Sequence, residues 1–168
     1  MTSYRFESEC GPLDAVVAVR GSKSITNRAL VLAALADGVS ILRNILLAED
    51  TWLMIEALRE LGIPVTVDEV EGVAEVTGCG GHIPADDAEL FCGNSGTTIR
   101  FCTALAALSR GGKYRLDGIA RMRRRPIGAL TDALQSLGAG IEYEDEAGFP
   151  PLTVHAHGLR GGHIAFPS

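Results

Sequence analysis

One pattern that returns after 72 to 76 residues constrains this chain more than any single motif. Gly21-Ser-Lys-Ser-Ile-Thr-Asn-Arg28 opens a segment running through Leu35 to Gly38, and Gly93-Asn-Ser-Gly-Thr-Thr-Ile-Arg100 opens another running through Leu108 to Gly111. Arg28 and Arg100 correspond. Ala57-Leu58 and Leu61-Gly62 return as Ala133-Leu134 and Leu137-Gly138, and Gly72 in an acidic turn returns as Gly148 in another. A period this long exceeds the usual solenoid units, so each copy is expected to be a compact supersecondary block.

Each copy has the same grammar. Ile25–Ala36 and Thr97–Leu108 are almost wholly apolar beyond their first turns, which predicts helices buried on most sides. Short strands are expected at Ser40–Leu42 and Tyr114–Leu116. Amphipathic helices follow, one with Met54, Leu58 and Leu61 on its apolar face and Asp50 as N-cap. The other carries Ile127, Leu130, Leu134 and Leu137, with Pro126 in its first turn. Hairpins close the units: Val65–Val67 with Val73–Val76, and Ile141–Tyr143 with Leu152–Val154. Strands at Val16–Val19 and Leu90–Cys92 would precede the first helices. The block therefore reads β-α-β-α-β-β, an α/β architecture with buried helices, in two copies.

Composition narrows the function classes. The 168 residues suit a single domain, and 46% apolar content excludes disorder. No apolar run is long enough to span a bilayer, and the opening residues do not resemble a secretory signal. Cys10, Cys79, Cys92 and Cys102 are scattered and read as reduced thiols of a cytosolic compartment. A net charge of −6 argues against general nucleic-acid binding. The cations are nevertheless bunched: Arg59 to Arg100 encloses no Lys or Arg, whereas Arg121, Arg123, Arg124 and Arg125 crowd together. An acidic chain with local cation clusters fits a small anionic ligand.

Three segments could carry chemistry. Gly21-Ser22-Lys23-Ser24 joins a predicted strand to a predicted helix, where small residues and free N–H groups favour an anion. Lys23 adds a charge, Ser24 a hydroxyl, and Arg28 follows one turn later. Taken alone, the segment reads more readily as a plain N-cap with incidental surface charges, and it lacks the P-loop spacing. Gly93-Asn94-Ser95-Gly96-Thr97-Thr98 is the equivalent turn of the second copy. Arg121 to Arg125 precedes the last helix, where one or two arginines could fork onto a carboxylate or phosphate. Metal ligation is weakly supported, since Cys79 with His82, or His155 with His157, makes an incomplete set. No Ser-His-Asp, Cys-His or dinucleotide signature is present.

These stretches, with Arg121-Met-Arg-Arg-Arg-Pro-Ile127 and Phe149-Pro150-Pro151-Leu152, resemble the 5-enolpyruvylshikimate-3-phosphate synthase family in order and spacing over nearly the whole chain. The resemblance implies an inverted α/β barrel of repeated β-α-β-α-β-β units. It implies transfer of the enolpyruvyl group from phosphoenolpyruvate to the 5-hydroxyl of shikimate 3-phosphate, with no metal or organic cofactor. By motif position, Lys23 would be catalytic and touch both substrates. Ser24 and Arg28 would bind shikimate 3-phosphate, and Asn94, Gly96 and Arg125 would bind phosphoenolpyruvate. Neither nucleic acid nor membrane is an implied partner.

The sequence departs from the family in two residues and in extent. Arg20 stands where proline often precedes the first motif, and Phe101 replaces the proline common after the second. Family members are more than twice as long, with three units in each of two domains. Residues 1–20 would pair with a second domain, while 21–168 would form an incomplete first domain. Its units would span about 16–80 and 89–158, with a stub at 159–168. The expected partner is thus a C-terminal domain, without which the chain should be inactive. UDP-N-acetylglucosamine enolpyruvyl transferase fits Gly21-Ser-Lys-Ser and the arginine run less well. A non-catalytic anion-binding half that assembles with a partner subunit is the alternative of another class.

Overall fold

The computed structural model describes residues 5, 14–17 and 19–165. Helix α1 (Lys23–Leu35) runs into strand β1 (Asp37–Leu42), followed by α2 (Glu49–Glu60) and the hairpin of β2 (Val65–Asp68) and β3 (Val73–Cys79). Strand β4 (Asp87–Phe91) begins the second half. It leads to α3 (Gly96–Leu108), β5 (Lys113–Asp117), a single 3₁₀ turn (Met122–Arg124), α4 (Gly128–Ser136), β6 (Gly140–Tyr143) and β7 (Leu152–His155).

The two halves share their pairing register. The first sheet has the order β1-β3-β2 and is antiparallel throughout; the second has the order β4-β5-β7-β6, with β4 parallel to β5. Ser40 and Val65 both face Val76, as Tyr114 and Ile141 both face Val154. Leu42 and Val67 face Ala74, as Leu116 and Tyr143 face Leu152.

The helix ends repeat as well. Gly62 and Gly138, both at positive φ, end α2 and α4 with the same pair of bonds. Gly62 N–H donates to Arg59 O and Ile63 N–H to Leu58 O; Gly138 donates to Gln135 O and Ala139 to Leu134 O. These pairs close the last turns and satisfy their free carbonyls. Gly72 O accepts from Ile45 N–H at 3.0 Å, and Gly148 O from Ile127 N–H at 2.8 Å. The acidic turns therefore fasten the entry to each second helix. Leu30, Met54, Leu58, Leu90, Ile99, Leu105, Leu116 and Val154 belong to one buried cluster spanning both sheets.

Several expectations are corrected. No strand forms at the described positions of Val16–Val19: Val16 is 100% exposed, and Val17 and Val19 are also exposed. Ala18 and most of the opening segment 1–20, Tyr4 and Cys10 included, lie outside the described residues, as do Phe166 to Ser168. The second of the expected leading strands is β4, which stops at Phe91 before Cys92. Pro126 stands before α4 and outside its first turn, because Gly148 O claims the N–H groups of Ile127 and Gly128 and so sets the helix start there. Helix α1 is less enclosed than its composition suggests. Its Ile25 and Leu32 are about 70% exposed, whereas α3 buries seven residues, from Thr98 to Ala107.

Candidate functional site

The N-terminal ends of three helices meet at one cleft. Lys23 is the first residue of α1, Asp50 the second of α2, and Gly96 the first of α3. Around them lie Arg28, Asn94, Thr97, Arg100, Phe101 and Arg125, enclosing about 530 Å³. Helix N-termini present unbonded N–H groups and the positive end of the helix dipole, so their convergence favours an anion. The charged lining agrees: Lys23, Arg28, Arg100 and Arg125 face a single carboxylate, Asp50.

Local chemistry explains how the ends come together. Gly21 lies so close to the Asn44–Leu46 segment that an added Cβ would stand 2.0 Å from Asn44 O. Next to it, the Thr26 hydroxyl accepts from Leu46 N–H at 3.0 Å, tying α1 to the approach to α2. Ser22 occupies the cap position of α1 in extended conformation and its side chain caps nothing. The cap of α2 is Ala48, not the expected Asp50. Thr51 does the capping chemistry instead, accepting from Ala48 N–H at 2.9 Å and donating to Leu46 O at 2.7 Å. That leaves the Asp50 carboxylate free to turn toward Lys23, whose Nζ lies 3.0 Å from Oδ2. In α3, Ser95 is a true cap, accepting from Thr98 N–H, and Thr98 donates to Asp50 O at 3.3 Å. The starts of α2 and α3 are thereby joined.

The arginines of the cleft keep their charge. Arg125 Nη1 donates to Asn94 O at 3.1 Å, and a Cβ added to Gly96 would fall 2.4 Å from Arg125 Nη2. Only glycine at position 96 lets this guanidinium lie across the helix start. Arg100 donates to Gly96 O at 3.0 Å and Pro126 O at 2.7 Å, and Arg28 to Ser24 O at 2.9 Å. Each acceptor is an uncharged carbonyl. Among the described residues none of these three forms an ion pair with a carboxylate. Burial, then the neighbouring charge of Arg125, lowers the Arg100 pKa below the usual guanidinium value. For Asp50, burial pushes upward, but the Ser95 hydroxyl, Lys23 and the charge of Arg125 outweigh it and hold the carboxyl below its ordinary value. Asp50 is therefore ionised at neutral pH.

The arginine run divides by role. Arg123 forks onto Asp117 at 2.9 and 2.6 Å, bracing the end of β5, while Arg125 enters the cleft. Asn94 Oδ1 is buried without a hydrogen-bond partner among the described residues, so the cleft wall carries an unused acceptor. Thiol chemistry is disfavoured nearby. Burial, aided by Asp117, pushes Cys92 up to about 12, and burial also raises Cys102, so both are protonated and unreactive.

Of the six residues singled out from sequence, Lys23, Arg28, Asn94, Gly96 and Arg125 line the cleft. Ser24 does not line it; it sits in the first turn of α1 and offers its backbone carbonyl to Arg28. Asp50, Thr97, Arg100 and Phe101 line the cleft beyond these six, Thr97 from within the second glycine-rich turn. The correspondence of Arg100 with Arg28 was the signal available for the arginine. Asp50 carried none, because its role depends on where α2 starts.

Fold and site together define a repeated α/β unit whose converging helix ends frame a cationic, anion-receptive cleft. The sequence profile of EPSP synthase (3-phosphoshikimate 1-carboxyvinyltransferase) matches residues 8–168, and the chain belongs to this family. A 3-phosphoshikimate 1-carboxyvinyltransferase of Nostoc punctiforme is 49% identical over 153 residues, covering 91% of this chain and 36% of that protein. One from Thiobacillus denitrificans is 53% identical over 139 residues, covering 83% of this chain and 32% of its own length. The solved EPSP synthase of Acinetobacter baumannii superimposes with a TM-score of 0.81 at 27% identity, covering 90% of this chain and 34% of that one. The chain thus spans about a third of the length of the relatives it matches. Among the described residues no helix is long and apolar enough to cross a membrane.

Proposed function

We propose that this chain supplies one wall of a site that transfers the enolpyruvyl group of phosphoenolpyruvate to the 5-hydroxyl of shikimate 3-phosphate. In that reaction the 5-oxygen bonds to the central enol carbon, and the phosphate departs with, overall, the hydroxyl proton. Each substrate carries a phosphate and a carboxylate, so four anionic groups must be held while charge redistributes in an addition–elimination intermediate. Fixed cations and helix dipoles suit that task, because they are arranged before the reaction begins.

In this reading Lys23 reaches both substrates, kept in place by Asp50. Arg28 takes shikimate 3-phosphate from the cleft wall, with Ser24 of the same helix start reaching it from outside that wall, while Asn94, Gly96 and Arg125 frame phosphoenolpyruvate. Neither metal nor organic cofactor is required. The remaining two thirds of the relatives' length would supply the opposing wall, and half a bipartite site orients neither reactant for attack. The isolated chain is accordingly inactive.

The observation that carries this reading is the gathering of four cations at three helix N-termini in a chain of this family. Calorimetric titration tests it. Shikimate 3-phosphate should bind the purified chain saturably, and Lys23→Met or Arg28→Ala should weaken binding at least about tenfold, as loss of a charge-assisted contact does. Equal affinity in all three proteins would refute the assignment. Phosphate release from both substrates by the isolated chain would refute its inactivity.

A further inference from the structure

The two equivalent arginines of the cleft are anchored alike at one point and differently at the other. Arg28 and Arg100 each donate Nη1 to the carbonyl four residues earlier in their own helix, Ser24 O at 2.9 Å and Gly96 O at 3.0 Å. Arg100 has a second anchor, Pro126 O at 2.7 Å from Nη2. Arg28 has no second carbonyl among the described residues. Its Cζ instead lies 5.7 Å from the centre of the Phe101 ring. Phe101 follows Arg100 directly in α3 and lines the same cleft, so α3 of the second copy supplies the missing restraint to α1 of the first.

We infer that Phe101 is a positioning residue: its ring holds the Arg28 guanidinium toward the cleft for a phosphorylated ligand, in place of the carbonyl that fixes Arg100. An aromatic face suits this purpose because it attracts a cation without neutralising it. A carboxylate at the same place would restrain Arg28 more strongly and cancel the charge the ligand requires. A free arginine, by contrast, must lose its rotamer freedom each time a ligand binds. The inference rests on the substrate reading only for the choice of ligand. The cation–aromatic contact itself is a property of the unliganded protein.

The test uses the 168-residue chain and two readouts. In NMR spectra without ligand, the Arg28 Nε–Hε and Cδ protons should be shifted upfield by the ring current. The shift should persist in Phe101→Tyr and vanish in Phe101→Leu, whose amide spectrum stays otherwise folded. Titrated with shikimate 3-phosphate, Phe101→Leu should bind about 2- to 5-fold more weakly than the parent, the range expected of an exposed cation–aromatic contact, and Phe101→Tyr should recover the affinity. An unshifted Arg28 in the parent, or equal affinity in Phe101→Leu, overturns the inference. If the parent does not bind shikimate 3-phosphate, the substrate reading fails separately. Inorganic phosphate then becomes the probe, and the same ratio between parent and Phe101→Leu decides.

Discussion

Among the described residues the first sheet has three strands where the second has four, although both follow one register. In the second half β5 is flanked by β4 and β7, and Tyr114 and Leu116 are fully buried. Their counterparts Ser40 and Leu42 lie on β1, which among the described residues is an edge strand with β3 as its one neighbour, and both are only partly buried. The alternate positions differ too. Val39 and Ile41 are more than half exposed, whereas their counterparts Lys113 and Arg115 are charged, and Arg115 forks onto Glu144. A paired interior strand can carry a large buried side chain on one face and ions on the other. The open edge of β1, with apolar residues beside it, is the condition that proteins ordinarily cover. The cleft sits between the halves and draws Lys23 and Arg28 from the less enclosed one.

The largest expected effect separates the paired leucines. Leu116→Ala should cost about 2–5 kcal/mol, as emptying a closed core site does, while Leu42→Ala at the edge should cost less than half as much. Urea unfolding of both variants checks this, and equal losses would erase the distinction between the sheets. Next come the two motif glycines. Gly21→Ala drives a Cβ into the backbone of Asn44 and should lose about 1–3 kcal/mol. Gly96→Ala meets the movable end of Arg125, so the thermal midpoint should stay near that of the parent while phosphate-ligand binding falls. A destabilised Gly96→Ala with unchanged affinity would reverse those roles.

Asp117 provides the pH dependence. Burial would raise its pKa, but Arg123, the Gly118 N–H and Arg115 together lower it below the ordinary 3.8. A depressed carboxylate contributes stability fully above the unfolded value and loses it as pH falls through the folded value beneath. Asp117→Asn should therefore cost about 1–2 kcal/mol at pH 7 and progressively less below pH 3.8, the partners being partly exposed. Denaturation series at pH 7 and pH 3 with the same constant cost would contradict the pairing. The smallest effect is expected at Val39→Lys, which copies Lys113 onto the first sheet and should change stability by less than about 0.5 kcal/mol. A larger loss would mean that Val39 is covered.

Much of this fold was legible because local rules and tertiary packing agree. The apolar runs gave α1 and α3, the period-two runs gave both hairpins, and Gly62 and Gly138 end helices for a reason visible in sequence. The family motifs likewise pointed to five of the cleft residues. Legibility failed where a position depends on a distant group. Val16–Val19 is an apolar, largely β-branched run like a strand, yet a strand needs a partner, and at its described positions none forms. Asp50 looks like a cap by type, but Thr51 caps more effectively and releases it to Lys23. Arg100 and Phe101 enter the site because α3 lies beside α1, a juxtaposition that no spacing within either helix records.

Mapping shikimate 3-phosphate onto the isotope-labelled chain by NMR tests the central claim most directly. The account predicts saturable shifts at Lys23, Arg28, Asn94, Gly96, Arg100 and Arg125, with the β6–β7 hairpin silent. Shifts absent from these six at millimolar ligand, or strongest on the Lys113–Arg115 face of the second sheet, would contradict it.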